Sequence, residues 1–349
     1  MNEQTLLLTQ GDLQQCGAAD IEVVGKALED CFVAHEAGQF TAPPSSFLKR
    51  PECPHVADRI IGLAGHLGGS FDIEGLKWIA SAHQNPARGL PRANAVIVLN
   101  DPDTRLPLAI MEGGLISAMR TAVVQALAAR YLARPDSTVL GLVGAGRIGA
   151  LSVWAICQWF PDLRDIRVFD LSEARAEACC QHLQKLGLAA TTVSNFEAAL
   201  APADIALTAT TAYEPWATPA CFKSGSLFLN VSLMDPVFET VSLADKIVVD
   251  DWEQCIHSDR VLARMHRAGL VDRESVHAEF GEIITGNKLG REHADERIFF
   301  NPFGLAIEDL AVAKVVYDRA VKAGLGTPIH LVYKEWTSYF ERSSALPGG

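Results

Sequence analysis

Gly144, Gly146 and Gly149 stand at the spacing G-x-G-x-x-G, directly after the apolar run Thr138-Val-Leu-Gly-Leu-Val143 and before a helical pattern. In that context the first glycine allows a tight turn, the second lets a pyrophosphate approach the backbone, and the third brings helix and strand together. The phosphates would rest on the helix N-terminus, at Arg147 and Ile148. Asp170 ends the next strand-like run, 21 residues after Gly149. A carboxylate there accepts from both ribose hydroxyls and repels a 2′-phosphate, which favours NAD over NADP. Arg175 is the one nearby residue that argues the other way. Two later apolar runs close at Thr208-Ala-Thr-Thr211 and Asn230-Val-Ser232, which places Thr210, Val231 and Ser232 near the nicotinamide half of such a cofactor. Helix capping and turn formation would also use those hydroxyls.

A second set of residues offers cations. Arg120 has apolar Ile116 and Val124 four residues to either side, so its guanidinium belongs to a face expected to turn inward. A buried cation needs a partner. A substrate carboxylate or a cofactor phosphate would serve, and so would an internal salt bridge. Lys77, between Leu76 and Trp78, is either on an exposed face or an active-site cation. Arg59, before Ile60-Ile61, and Arg92, after Pro91, are further candidates, each of which could instead be simply solvated. Adjacent Cys179 and Cys180 have no base nearby in sequence and read as packing.

The elements that must hold these groups alternate from Thr138 to Asp251 as parallel-sheet α/β units do. Strands are expected at 138–143, 166–170, 204–209, 226–232 and 246–250. Ser172 is expected to cap a helix that runs to Gly187, and Ser194 with Glu197 to form a capping box. The first 137 residues read as an α+β unit, with a helix at 21–37 and a proline-rich connection at Pro43-Pro44 and Pro51 to Pro54. Strands at 75–80 and 93–99 and a helix at 114–133 follow. A last helical pattern spans Gly304 to Ala323, with Leu305, Asp309, Val312, Val316 and Ala320 on one face, and is expected to return to the first unit.

The chain has 349 residues, enough for two domains. With 49% hydrophobic and 21% charged residues it can bury a sizeable core. A net charge of -12 without any basic run argues against nucleic acid and anionic membranes as partners. The start lacks a secretory pattern and no window matches a membrane span, so a cytoplasmic protein is expected. Eight cysteines, including Cys53, form no C-x-x-C pair and read as reduced thiols. Neither they nor the ten histidines show metal-ligand spacing, so no metal is expected.

Several runs together, Gly75-Leu-Lys-Trp-Ile79, Met111-Glu-Gly-Gly-Leu-Ile-Ser-Ala-Met-Arg-Thr121, Gly141-Leu-Val-Gly-Ala-Gly146 and Gly304-Leu-Ala-Ile-Glu-Asp-Leu310, make the chain resemble the ornithine cyclodeaminase/mu-crystallin family from end to end. The resemblance implies an α/β fold with a Rossmann NAD-binding domain, 138–304, inserted in an α+β substrate-binding and dimerisation domain, 1–137 plus 305–349. It also implies an amino-acid substrate and a homodimer. Arg120 matches the family's substrate-carboxylate arginine and Lys77 its active-site lysine, and Asp309 falls in the A-x-E-D motif as a residue that orients active-site groups. Finer runs, Lys77-Trp-Ile-Ala-Ser81, Gly89-Leu-Pro-Arg-Ala93, Gly281-Glu-Ile-Ile-Thr-Gly286, Gly290-Arg-Glu292 and Phe299-Phe-Asn-Pro302, look like the N-(2-amino-2-carboxyethyl)-L-glutamate dehydrogenase branch, which forms 2,3-diaminopropionate for siderophores and peptide antibiotics.

Two departures matter. The family's G-S-D-x-P-G-K run is Val231-Ser-Leu-Met-Asp-Pro236, with Asp235 offset and no lysine after it, and M-P-A is Leu63-Ala-Gly65. These weaken a cyclodeaminase reading and leave the general base unassigned. The same motifs also fit a sibling amino-acid or ketimine dehydrogenase, and a non-enzymatic ligand-binding protein.

Overall fold

The computed structural model describes residues 4–52, 55 and 58–331. Cys53, Pro54 and the chain after 331, which parts of the expectations above include, lie outside the described residues.

Two eight-stranded sheets organise the chain. The first contains β1 (Thr5–Leu8), β2 (Phe40–Thr41), β3 (Ser46–Leu48), β4 (Arg59–Leu67), β5 (Ile73–Ser81), β6 (Ala93–Asn100), β7 (Pro107–Glu112) and the strand Thr327–Ile329. Its long central strands β4 to β7 are antiparallel neighbours. Ala95, Ile97 and Leu99 alternate inward along β6, the period a half-buried strand requires. β4 was not expected from the sequence. Its run Arg-Ile-Ile-Gly-Leu-Ala-Gly-His-Leu is interrupted by glycines, which depress strand propensity.

Those glycines have a packing role. Gly65 pairs with Gly75 across β4 and β5, on the face that carries Lys77. The helix Ala306–Ala323 packs on these two strands and on the helices Ile21–Glu36 and Gly114–Leu132. A Cβ at Gly75 would lie 2.8 Å from Leu310 Cδ2 and 2.5 Å from the Val98 carbonyl oxygen, so no other residue allows this approach without a shift.

The second sheet contains β8 (Val139–Val143), β9 (Asp165–Phe169), β10 (Ala190–Thr192), β11 (Ile205–Thr208), β12 (Leu227–Asn230), β13 (Lys246–Val249), β14 (Ala278–Glu279) and β15 (Ile298–Phe300). Its order is β10-β9-β8-β11-β12-β15-β13-β14, with every pairing parallel. The chain reverses direction across the sheet at β8, and ligands of such sheets lie outside the strands' carboxyl ends at that point. β15 runs only three residues, and its insertion between β12 and β13 is decided by tertiary pairing.

Two caps differ from expectation. The helix Phe196–Leu200 is capped by Asn195, whose side chain accepts from the Ala198 N–H, and not by Ser194. Ser172 occupies the cap position of Glu173–Lys185 without a side-chain hydrogen bond. Its N–H instead donates to Asp170 Oδ1 at 2.9 Å.

Candidate active site

The carboxyl edge of the parallel sheet gathers the residues read as a cofactor site. After β8, Gly144 adopts φ +98° against the chain that follows β11, and a Cβ at Gly149 would lie 2.3 Å from the Gly144 carbonyl oxygen. Nothing lies within 4 Å of a Cβ at Gly146, which keeps the turn open where a phosphate would approach. Asp170 follows β9, and its Oδ2 accepts the Ala145 N–H at 2.9 Å, which ties the acid to the glycine turn. Thr210 follows β11 and Ser232 follows β12, and the Thr210 N–H donates to Ser232 Oγ at 2.7 Å. Val231, between β12 and Ser232, is half-buried. Arg147 and Ile148 open the helix Arg147–Trp159, and Arg175 is exposed beyond Asp170. The open turn, the helix start and the carboxylate fit a dinucleotide.

The other half of the site is built by three elements. β5 supplies Lys77, the helix Gly114–Leu132 supplies Arg120, and the first turn of Ala306–Ala323 supplies Glu308 and Asp309. Lys77 is 2% exposed, Arg120 8%, and both acids are fully buried. Lys77 Nζ donates to Asp309 Oδ2 and, at 3.4 Å, to Ser117 Oγ. Arg120 Nη1 donates to Glu308 Oε2 at 2.6 Å, and its Nε lies 3.3 Å from Asp309 Oδ1. The open choice at Lys77 thus resolves to burial, and Arg120 does have an internal partner. Burial pulls Lys77 down to about 8, against the opposing pull of Asp309. Burial likewise pushes Glu308 up to about 7, against Arg120.

The two halves meet through the segment 301–305, which leaves β15 at the carboxyl edge and enters the helix bearing Glu308 and Asp309. Asp250, buried after β13, accepts the N–H groups of Phe303 at 2.8 Å and Gly304 at 2.6 Å. Arg260 donates to the carbonyls of Pro302 at 2.5 Å and Phe303 at 2.9 Å. Both ends of the Phe303 peptide backbone are therefore held, and Gly304 packs against the Arg120 guanidinium.

Arg59 begins β4 opposite Ser81, on the Lys77 face of the sheet, with its guanidinium 5.9 Å from the Phe47 ring centroid. Its charge acts on Arg260, and Arg92 acts on Arg59 in turn. Arg92 also feels Arg147, so it stands toward the glycine turn. Asp235 is buried; its Oδ1 accepts from Thr210 Oγ1 at 2.5 Å and Trp216 Nε1 at 3.0 Å. That carboxylate braces the loops after β11 and β12.

Glu308, Asp250 and Arg260 were not singled out from the sequence. Glu308 had a signal, since two adjacent acids interrupt the apolar run Leu305 to Ala311, but nothing in the local sequence of Asp250 or Arg260 points to segment 301–305. The described residues also bring together His55, Asp58 and His83, whose ligand-type atoms lie within 4.8 Å of one another just outside the paired residues Arg59 and Ser81, where β4 begins and β5 ends. Their separation in sequence hides this grouping from spacing arguments, and Asp58 accepts from both the backbone and the ring of His83.

A model of the ornithine cyclodeaminase/mu-crystallin family matches residues 4–324. The N-((2S)-2-amino-2-carboxyethyl)-L-glutamate dehydrogenase of Staphylococcus aureus is 37% identical over 95% of this chain and 100% of its own. The Δ1-pyrroline-2-carboxylate reductase of Thermococcus litoralis, solved with NADH and L-proline, superposes with a TM-score of 0.85 at 31% identity, over 93% of this chain and 100% of that one. An archaeal alanine dehydrogenase, solved as a dimer with NAD, gives 0.84 at 30% identity, over 94% and 100%.

Proposed function

The chain belongs to the ornithine cyclodeaminase/mu-crystallin family, and from that premise we propose that it oxidatively cleaves N-(2-amino-2-carboxyethyl)-L-glutamate to L-2,3-diaminopropionate and 2-oxoglutarate. It is an NAD-dependent oxidoreductase acting on a CH–NH bond. The observation that carries the substrate reading is that two further cations, Arg59 and Arg92, act on one another beside the inner cluster in which Lys77 and Arg120 are paired with acids, on a chain whose net charge is -12. A substrate with three carboxylates gives such a cluster its chemical sense. The 37% identity to the Staphylococcus aureus enzyme supports the same reading.

NAD, held by the Gly144–Gly149 turn, Arg147, Ile148, Asp170, Thr210, Val231 and Ser232, would supply the two-electron oxidation. The chain's own residues orient the substrate and handle its protons. Arg120 takes the carboxylate next to the carbon that is oxidised, and Arg59 a distal one. Arg92, read from sequence as a third substrate contact, stands between that site and the glycine turn and can serve either ligand. Lys77, with a lowered pKa, accepts the proton released from the substrate amine, and Asp309 holds its ammonium in place. Water then adds to the substrate imine, and its collapse releases the primary amine and the oxo acid.

The chain would work as a homodimer, joined over the outer face of the first sheet. Trp78 and Val96 are paired across β5 and β6 on that face and are 43% and 44% exposed.

The deciding experiment mixes purified protein and NAD with N-(2-amino-2-carboxyethyl)-L-glutamate, and in parallel with L-alanine, L-proline and L-ornithine. NADH together with 2-oxoglutarate and 2,3-diaminopropionate is expected only in the first. Turnover confined to another tube would replace the substrate.

A further inference from the structure

The innermost charges of the site cancel. Lys77, Arg120 and Arg260 bring three positive charges, and Asp250, Glu308 and Asp309 three negative ones, linked through Arg120, which acts on Lys77, Arg260 and Glu308. A carboxylate that docks on Arg120 therefore meets no surplus positive charge at that depth. It must share the guanidinium with Glu308, and it leaves the cluster with one negative charge too many. An uncompensated buried charge is costly, and protonating one acid removes the imbalance.

The hydrogen bonds decide which acid takes the proton. Asp250 accepts three backbone N–H groups, from Asp251, Phe303 and Gly304. Asp309 is paired with both Lys77 and Arg120. Glu308 has Arg120 on Oε2 and the Leu305 backbone near its carboxylate; its Oε1, like Asp309 Oδ1, is buried, but Asp309 holds the Lys77 ammonium as well as lying against Arg120. Its carboxylate is the least supported of the three once a second anion competes for Arg120.

We propose that Glu308 is an internal counter-ion, which occupies Arg120 in the empty site and takes up one proton when a substrate carboxylate binds there. The inference rests on the reading of Arg120 as the carboxylate receptor. The exchange is simple: the ligand replaces Glu308 as the charged partner of the guanidinium, and a proton from solvent forms the new O–H bond on Glu308.

The groups that face Glu308 agree with this assignment. Arg120 lies on Gly114–Leu132, Lys77 on β5, Asp250 after β13, Arg260 before the helix Val261–Arg267, and Asp309 on the same helix as Glu308. Cys31 faces the cluster from Ile21–Glu36, with a thiol that burial pushes well above its ordinary range, so it stays neutral. Lys77, at about 8, is mostly protonated at pH 7 and can add little there. Glu308, pushed to about 7 by burial, can take up the proton.

The test uses the NADH-loaded full chain with pyruvate and with 2-oxoglutarate, neither of which turns over without an amine. Binding is followed by calorimetry at pH 7.0 in two buffers of different ionisation heat, for wild type and Glu308→Gln. The wild type should take up about 0.5 proton per ligand, with a Kd that weakens by up to about tenfold per pH unit between about pH 7 and 8. Glu308→Gln should take up no more than the small share Lys77 can add, and lose the pH dependence below pH 8. Wild type without uptake overturns the proposal even if the variant fails to fold, and so does uptake that persists undiminished in Glu308→Gln. If neither oxo acid binds, Arg120 is not a carboxylate receptor and the proposal falls. Failure of the substrate reading is separate, because it is read from NADH formation with the amine substrate.

Discussion

At the scale of single residues, burial sets the chemistry of Lys77. Its amine is penalised as a cation by desolvation, and the nearby Asp309 only partly restores it, which leaves it at about 8. If it accepts the amine proton, its neutral form is the active one. That form grows as pH rises through about 8, so kcat at saturating substrate should rise with pH and level off, whereas kcat/KM also carries the binding term of Glu308. Lys77→Arg keeps the charge but cannot lose its proton near neutral pH, and should cost roughly 10²–10⁴-fold in turnover while NAD binding, followed by fluorescence, is retained. A variant that keeps wild-type turnover, or a flat wild-type profile, would take Lys77 out of the mechanism. Much at this scale was legible in the sequence. Gly144, Gly149 and Asp170 are read from spacing because the dinucleotide turn is local in the chain. Glu308 and Arg260 escaped because their partners lie far away, Arg120 at 188 residues and Pro302 at 42.

At the scale of elements, the site depends on how closely the helix Ala306–Ala323 approaches β4 and β5. The facing glycines Gly65 and Gly75 allow it, and Leu310, fully buried, fills the space above them. Gly75→Ala should destabilise the protein by at least roughly 1–3 kcal/mol, because the added methyl meets a backbone carbonyl that cannot yield cheaply. It should also lower turnover, since the same shift separates Asp309 from Lys77. Urea unfolding and steady-state rates check both parts; a variant as stable and active as wild type would show that the close approach is dispensable. Element boundaries followed the sequence where periodicity was strong, as in Gly114–Leu132 and Ala93–Asn100. They failed at β4 for a physical reason. The glycines that the packing needs are the residues that erase the strand signal.

At the scale of the whole molecule, the outer face of the first sheet leaves Trp78 and Val96 about half exposed, side by side. Replacing Trp78 by Glu should convert the proposed dimer to a monomer in light scattering, and an unchanged mass would refute the proposed interface. None of the helices of the described residues is long and apolar enough to cross a membrane. The parallel α/β unit, the dinucleotide turn with its acid, the acidic balance and the apolar face of the last helix all follow from the chain alone, because each is written in neighbouring residues or in composition. It took the folded arrangement to establish that Lys77 is buried, that Arg120 is already paired, and that Asp250 and Arg260 hold segment 301–305 against the cation cluster. Such contacts join elements far apart in the chain, from Arg120 with Glu308 at 188 residues to Lys77 with Asp309 at 232. Burial and charge at those positions depend on what the fold brings opposite each side chain, which no local pattern records.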